Sequence, residues 1–292
     1  MKKQYFIWSF LFINIYCLNA QYIPEFSNFN EAGLLYNPAV AGRSENLSAS
    51  LGMRTQWLGL QGAPTYFFFS SDLPTKRKQV GIGVNFLNES IGLNSNNMIN
   101  GNFAYKFLLS KGVCSMGLSL GIKNSRLNRS QLQLLENNDP TFNGINNNEI
   151  NPYLGFGFSY VLNDFSLSMG FMDLLNKSYS RNINLSAFYK YELNERFLLK
   201  SYVFYKRSVA KVNQMEIGTA IEYNRKLGFY FGYRTNQDFI LGLNVNISKQ
   251  LMMIYSYDFT TSYFSDFNNG SNELVLRFNF IEEKQAYSPK DF

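Results

Sequence analysis

The residues that could do acid–base or nucleophilic chemistry are few and far apart. Histidine is absent from all 292 positions. A Ser–His–Asp triad, a His-based zinc site and a His general base are therefore excluded. Catalysis would fall to carboxylates or a lysine, and the candidates Glu216, Glu222 and Asp258 show no spacing that implies cooperation. The expectation is a non-enzyme with no catalytic residue, no cofactor and no metal. The other charges of interest are Arg54, Lys106, Lys123, Lys190, Lys200 and Arg277, which with Glu216 and Glu222 fall on the polar faces of alternating segments. Such charges are either solvated and paired, or a contact surface for something held between the faces.

The elements that must position these residues begin after a leader. Lys2 and Lys3, an apolar run from Tyr5 to Leu18 and the small residue Ala20 have the form of a secretory signal peptide over 1–20, cleaved near Ala20/Gln21. Tyr16 before Cys17 is too bulky for a lipoprotein signal. Cys114 is then the single thiol left, so no internal disulfide framework is expected. Loss of Lys2 and Lys3 lowers the formal charge of +6 by two. No basic stripe with interleaved aromatics appears, so nucleic acid is not an expected partner. Basic residues do cluster at Lys76-Arg77-Lys78 and Arg225-Lys226. They read either as solvated hairpin tips or as contacts for an acidic partner.

Period-2 alternation dominates the rest of the chain. Phe239, Leu241, Leu243, Val245 and Ile247 oppose Ile240, Gly242, Asn244, Asn246 and Ser248. Cys114, Met116, Leu118, Leu120 and Ile122 oppose Ser115, Gly117, Ser119, Gly121 and Lys123. Apolar faces this rich in Phe, Leu and Tyr, about ten residues long, suit strands that cross a bilayer at a tilt. The 20 Tyr and 28 Phe fit aromatic girdles. Fourteen segments are predicted, at 46–57, 64–73, 79–88, 97–109, 113–124, 150–161, 164–173, 181–193, 196–207, 212–224, 226–235, 238–248, 250–260 and 271–281. Every second connection is short, such as Ser110-Lys111-Gly112 and Asn224-Arg225-Lys226. The others are expected to be longer, including Asn88–Asn97, Ser125–Glu149, Asp173–Asn182 and Thr260–Ser271. The expected fold is all-β: a transmembrane antiparallel β-barrel of about 14 strands over 46–281, with N- and C-termini periplasmic on the short-turn side and outer-membrane lipid around it. Residues 21–45 would form a periplasmic or lumenal segment, and 282–292 a periplasmic tail.

The most distinctive local sequence lies near the N-terminus. It comprises Asn37-Pro38-Ala39-Val40-Ala41-Gly42, then Arg54-Thr55-Gln56-Trp57, then Gly59-Leu60-Gln61-Gly62-Ala63-Pro64-Thr65. With Val80–Asn85, Ile91-Gly92 and the closing Glu273–Phe280, this resembles the PorP/SprF family of the Bacteroidetes type IX secretion and gliding motility system, over about residues 21–281. The resemblance implies an outer-membrane barrel whose partners are type IX secretion components and/or a secreted surface adhesin engaged through its C-terminal domain. The role would be to export or anchor that cell-surface protein. It marks Asn37, Pro38, Ala39, Gly42, Arg54, Gln56, Trp57, Gly59, Gly62 and Pro64 as partner-binding candidates. The motifs also have a structural reading: a turn at Asn37-Pro38, a positive φ at Gly42, a girdle aromatic at Trp57, and a tight first outer loop shaped by Gly59, Gly62 and Pro64. The alternative function is a diffusion pore or small-solute channel, since fourteen strands can enclose open space.

Overall fold

The computed structural model describes residues 25–44, 46–76, 78–128, 148–176, 181–208, 213–235 and 238–280. The predicted signal peptide 1–20, the predicted tail 282–292 and most of the Asn-rich stretch between Ser125 and Glu149 lie outside the described residues.

Fourteen strands form one closed antiparallel barrel in which each strand pairs with its sequence neighbours and the first pairs with the last. They are β1 (Ser48–Thr55), β2 (Thr65–Pro74), β3 (Val80–Ile91), β4 (Asn94–Leu109), β5 (Gly112–Leu127), β6 (Asn148–Leu162), β7 (Phe165–Met172), β8 (Asn182–Glu192), β9 (Phe197–Ser208), β10 (Asn213–Tyr223), β11 (Leu227–Arg234), β12 (Asp238–Asn246), β13 (Leu251–Thr260) and β14 (Ser271–Asn279). Closure leaves no open edge around the ring. No helix among the described residues is long and apolar enough to cross a membrane; the strands do the crossing.

The alternation has an inverted sense compared with a water-soluble sheet. Outward residues are large, apolar and exposed, including Met53 at 58%, Leu120 at 57% and Phe229 at 63%. Inward residues are polar and buried, including Ser119, Asn100, Asn102 and Ser256. A continuous apolar exterior of this size belongs in hydrocarbon.

One predicted loop is corrected. Asn88–Asn97 is not a long connection but the outer end of a hairpin, with β3 and β4 paired out to Ile91↔Asn94 around Gly92. Gly92 takes φ +55, and the Asn88 amide donates to Asn97 Oδ1 at 2.8 Å across the ladder. Polar residues here do not mark a loop, because β4 and β5 run 16 residues each, with polar side chains over their outer ends. Elsewhere the first outer loop is stitched to both neighbours. The Leu58 N–H donates to Gly270 O at 2.8 Å, and the Gly92 N–H to Gly62 O at 2.9 Å.

Candidate functional site

Residues 25–44 lie inside the ring. They include α1 (Gly33–Tyr36) and a 3-10 turn, Pro38–Val40. Asn37, extended at φ −158, accepts from the Ala39 N–H at 2.9 Å and so caps that turn. Proline at the first turn position fits because no N–H is needed there.

Two ends of this segment are held in different ways. Residues 36–42 press their backbone onto glycines of the wall. A Cβ placed on Gly117 would stand 2.6 Å from Ala39 Cα, on Gly157 2.9 Å from Pro38 Cδ, and on Gly81 2.5 Å from the Ala41 carbonyl carbon. The inward glycines of β3, β5 and β6 therefore form a saddle that only a bare backbone allows. Asn37 donates to Phe158 O at 2.9 Å, and Asn184 donates to Tyr36 O at 3.1 Å. Gly42 takes φ +63 beside Gly81, and its N–H donates to Asp72 Oδ2 at 2.6 Å.

Residues 25–28 meet a buried ionic network near the long-loop ends of β1, β10, β11, β13 and β14. Arg54 lies 2.6 Å from Asp258 Oδ2 and 3.3 Å from Glu273 Oε2. Arg234 lies 2.5 Å from Glu25, 2.7 Å from Glu216 and 2.9 Å from Asp258. Ser27 sits at the centre. Its hydroxyl donates to Asp258 Oδ1 at 2.7 Å and accepts from Arg54 at 2.9 Å and Arg234 at 3.2 Å. Glu273 accepts the Ser27 and Asn28 N–H groups at 2.7 and 2.9 Å. Burial would raise the Glu25 carboxyl, but Arg234, Lys206 and Arg54 hold it below its ordinary value, so it is charged at neutral pH. Aromatic packing joins the two ends: Phe29 stacks on Phe204 at 4.3 Å, and Phe26 meets Phe68 edge-on at 4.8 Å.

The sequence-derived candidates divide accordingly. Asn37, Pro38, Ala39 and Gly42 form the saddle contact. Arg54 is in the ionic network, so it joins the lumenal segment without touching those four. Gln56 is buried just past β1 and its N–H donates to Pro64 O at 2.9 Å. Trp57 follows it at φ 51, with its N–H donating to Ser271 Oγ at 3.2 Å. Gly59 and Gly62 take positive φ in the same outer loop, at +89 and +73.

The statement that Asp258, Glu216 and Glu222 do not cooperate is corrected for two of the three. Asp258 and Glu216 converge on Arg234, whereas Glu222 pairs separately with Lys200. Strand register does this, because Glu216 faces Arg234 and Arg54 faces Glu273 across neighbouring strands. The result is an anchoring network for the lumenal segment. Glu25, Arg234, Glu273 and Asn184 were missed as site residues. Alternation places the last three on the inward face, but their shared partner is separated from them by more than a hundred positions.

The chain is similar to known proteins in family and in fold. The family model described as the type IX secretion system membrane protein PorP/SprF matches residues 18–278. No curated protein matches the chain. Among solved structures, the outer membrane protein Omp33 of Acinetobacter baumannii aligns with TM-score 0.52 and 8% identity, over 82% of this chain and 100% of that one. The KdgM porin aligns at 0.40 and 11% identity, over 80% of this chain and 99% of that one. A Rhodopseudomonas blastica porin mutant aligns at 0.36 and 10%, over 81% and 99%. The Omp33 likeness is one of fold: a closed membrane barrel.

Proposed function

The chain belongs to the PorP/SprF family of type IX secretion system membrane proteins, and from that premise we propose that it is an outer-membrane partner that helps export or anchor a cognate cell-surface protein. The partner protein, of the kind a gliding adhesin represents, would engage it through a C-terminal domain. In this reading a signal peptide is removed near Ala20/Gln21, the short turns and the tail 282–292 face the periplasm, and the long loops face outward. Partner contact by the outer-loop residues Trp57, Gly59, Gly62 and Pro64 belongs to the same reading.

One observation carries the preference for an interaction role over a diffusion pore. The lumen holds residues 25–44, fixed at one end by Arg54 and Arg234 and at the other by the glycine saddle. A segment held across the bore by buried ion pairs narrows any path for solute through it. The test is a pull-down of the tagged chain from outer membranes with mass spectrometry, beside conductance of the purified chain in planar bilayers. Recovery of type IX components and a large surface protein, with a closed barrel, is expected. A stable open channel that recovers neither would overturn the reading in favour of transport.

A further inference from the structure

Below the lumenal segment the barrel is hollow. A cavity of about 680 Å³ is roofed by residues from Ser27 to Tyr36 and reaches the β6–β7 turn at Asn163 and Asp164 and the strand ends Asn246 and Asn279. These all stand at the short-turn end, and no residue of the described long-loop connections lines the cavity. It is a blind vestibule with its mouth among the short turns.

Polar groups within it are left over. Among the described residues, Ser70 Oγ, Asn184 Oδ1 and Asn244 Oδ1 have no hydrogen-bond partner, although Ser70 and Asn184 are only 4% and 3% exposed. The Arg43 guanidinium donates to Ser159 Oγ at 3.0 Å, and no carboxylate of the described residues lies within ion-pair reach of it. The nearby Asp72 is already engaged by the Gly42 N–H and by Ser48 Oγ at 2.8 Å. Lys190 also lines the vestibule with no side-chain partner among the described residues; of the other lining charges, Lys200 pairs with Glu222 and Arg277 with Glu31, while Asp164 stands in the β6–β7 turn.

The rim carries matching charge. Lys76, Lys78, Lys111, Arg196, Lys226 and Lys249 are exposed in the short turns, and Arg225 pairs with Glu192 at 2.9 Å. Lys78 and Arg225 hold φ of 57 and 53, left-handed positions where glycine would be unstrained. Asp164, Glu192 and Glu195 are the described carboxylates in these turns, so the rim is strongly basic.

We propose that this vestibule receives an extended acidic peptide segment of a periplasmic partner, drawn in by the basic short-turn rim. The proposal rests on the reading that the short-turn end faces the periplasm. Side-chain amides and hydroxyls such as Asn184, Asn244 and Ser70 would meet the peptide backbone, and Arg43 and Lys190 its carboxylates. Phe165 and Phe188 offer apolar surface between them. The volume is within the range of sites that enclose a small ligand or a few residues. Anionic lipid headgroups could meet the rim, but not Arg43 or Asn184, which lie inside the ring. Long-range attraction at the rim would speed association, and the enclosed contacts would slow release.

The test uses the purified barrel in zwitterionic detergent and two fluorescein-labelled peptides, one alternating glutamate with serine and one alternating lysine with serine. Anisotropy is expected to show binding of the glutamate peptide alone, weakening with salt. Arg43→Gln with Lys190→Gln should weaken it about tenfold or more, while Arg43→Lys should retain most of it. In a Cys114→Ser background, a cysteine placed by Ser186→Cys should be protected from maleimide by the glutamate peptide. Heat-modifiable migration checks that each variant is folded. Equal binding of both peptides, indifference to Arg43→Gln, or rim variants that alter only binding to phosphatidylglycerol vesicles would each overturn the proposal. Such a failure alongside a successful pull-down sinks the vestibule alone and leaves the secretion role standing.

Discussion

The two ends of the lumenal segment are held against opposite walls by opposite kinds of physics. At residues 36–42 the fit is steric: a capped turn lies on glycines whose missing side chains make room for it. At residues 25–28 the fit is ionic: a serine and two backbone N–H groups sit among two arginines and five carboxylates, Glu25 of the segment itself included. A steric seat is insensitive to pH and salt, and it fails only when volume is added. An ionic seat fails when any single charge is removed, because its neighbours remain buried and uncompensated. Buried ion pairs are weak evidence for net stability, so the network is better understood as fixing one position for the segment than as strengthening the barrel.

The comparison breaks most sharply at Arg234. Arg234→Met removes the group shared by Glu25, Glu216 and Asp258, and should cost on the order of 3–5 kcal/mol at that seat. Hydrogen exchange should then show protection lost at 26–31, with much smaller change at 36–42. A uniform loss along the segment would mean that the ends are not independent. The next effect in size lies at the other wall. Gly157→Val places carbons where Asn37 and Pro38 now sit and should cost about 1–3 kcal/mol by overpacking. Exchange should rise at 36–42 while 26–31 stays protected, and the barrel should keep its heat-modifiable migration in both variants.

The contrast also explains what could be read from the sequence. All fourteen strands were legible, most to within two residues, because the bilayer enforces the same alternation on every one: apolar outward, polar inward. The inward glycines were legible as a pattern but not as a saddle, since nothing in Gly117 or Gly157 states that a backbone will lie against it. Asn37-Pro38 and Gly42 announced a turn and a positive φ, and they have both. The ionic seat was not legible. Arg54 stood out through its motif and as an inward charge, neither of which names its partners, and Glu25 lies in a stretch with no periodicity. Ser27 is 231 positions from Asp258, and no local rule spans that distance. The outer ends of β3 and β4 misled for a different reason. Beyond the bilayer the outward face of a strand no longer has to be apolar, the apolar–polar contrast fades, and an Asn-rich ladder looks like a loop.

The smallest effect separates the two seats without any mutation. The Glu25 carboxyl is held below its ordinary value of 4.5, where burial, which raises it, is outweighed by Arg234, Lys206 and Arg54. A depressed folded value means that its contribution is fully present above that ordinary value and lost as pH falls through the lower, folded one. Lowering the pH from neutral to about 5 should therefore leave the Glu25–Arg234 contact in place, and the change at that contact should begin only below about 4.5. In planar bilayers the purified chain should stay closed at pH 6 and show brief openings near pH 3, reversed on neutralisation. Glu25→Gln should show those openings already at neutral pH and lose much of the acid response. Because the glycine contacts of residues 36–41 contain no titrating group, the openings should be transient rather than permanent, with that end of the segment still in place even if Asp72 releases the Gly42 N–H. A sustained open state at pH 3 would mean that the ionic seat holds the segment alone, and that the saddle only shapes it.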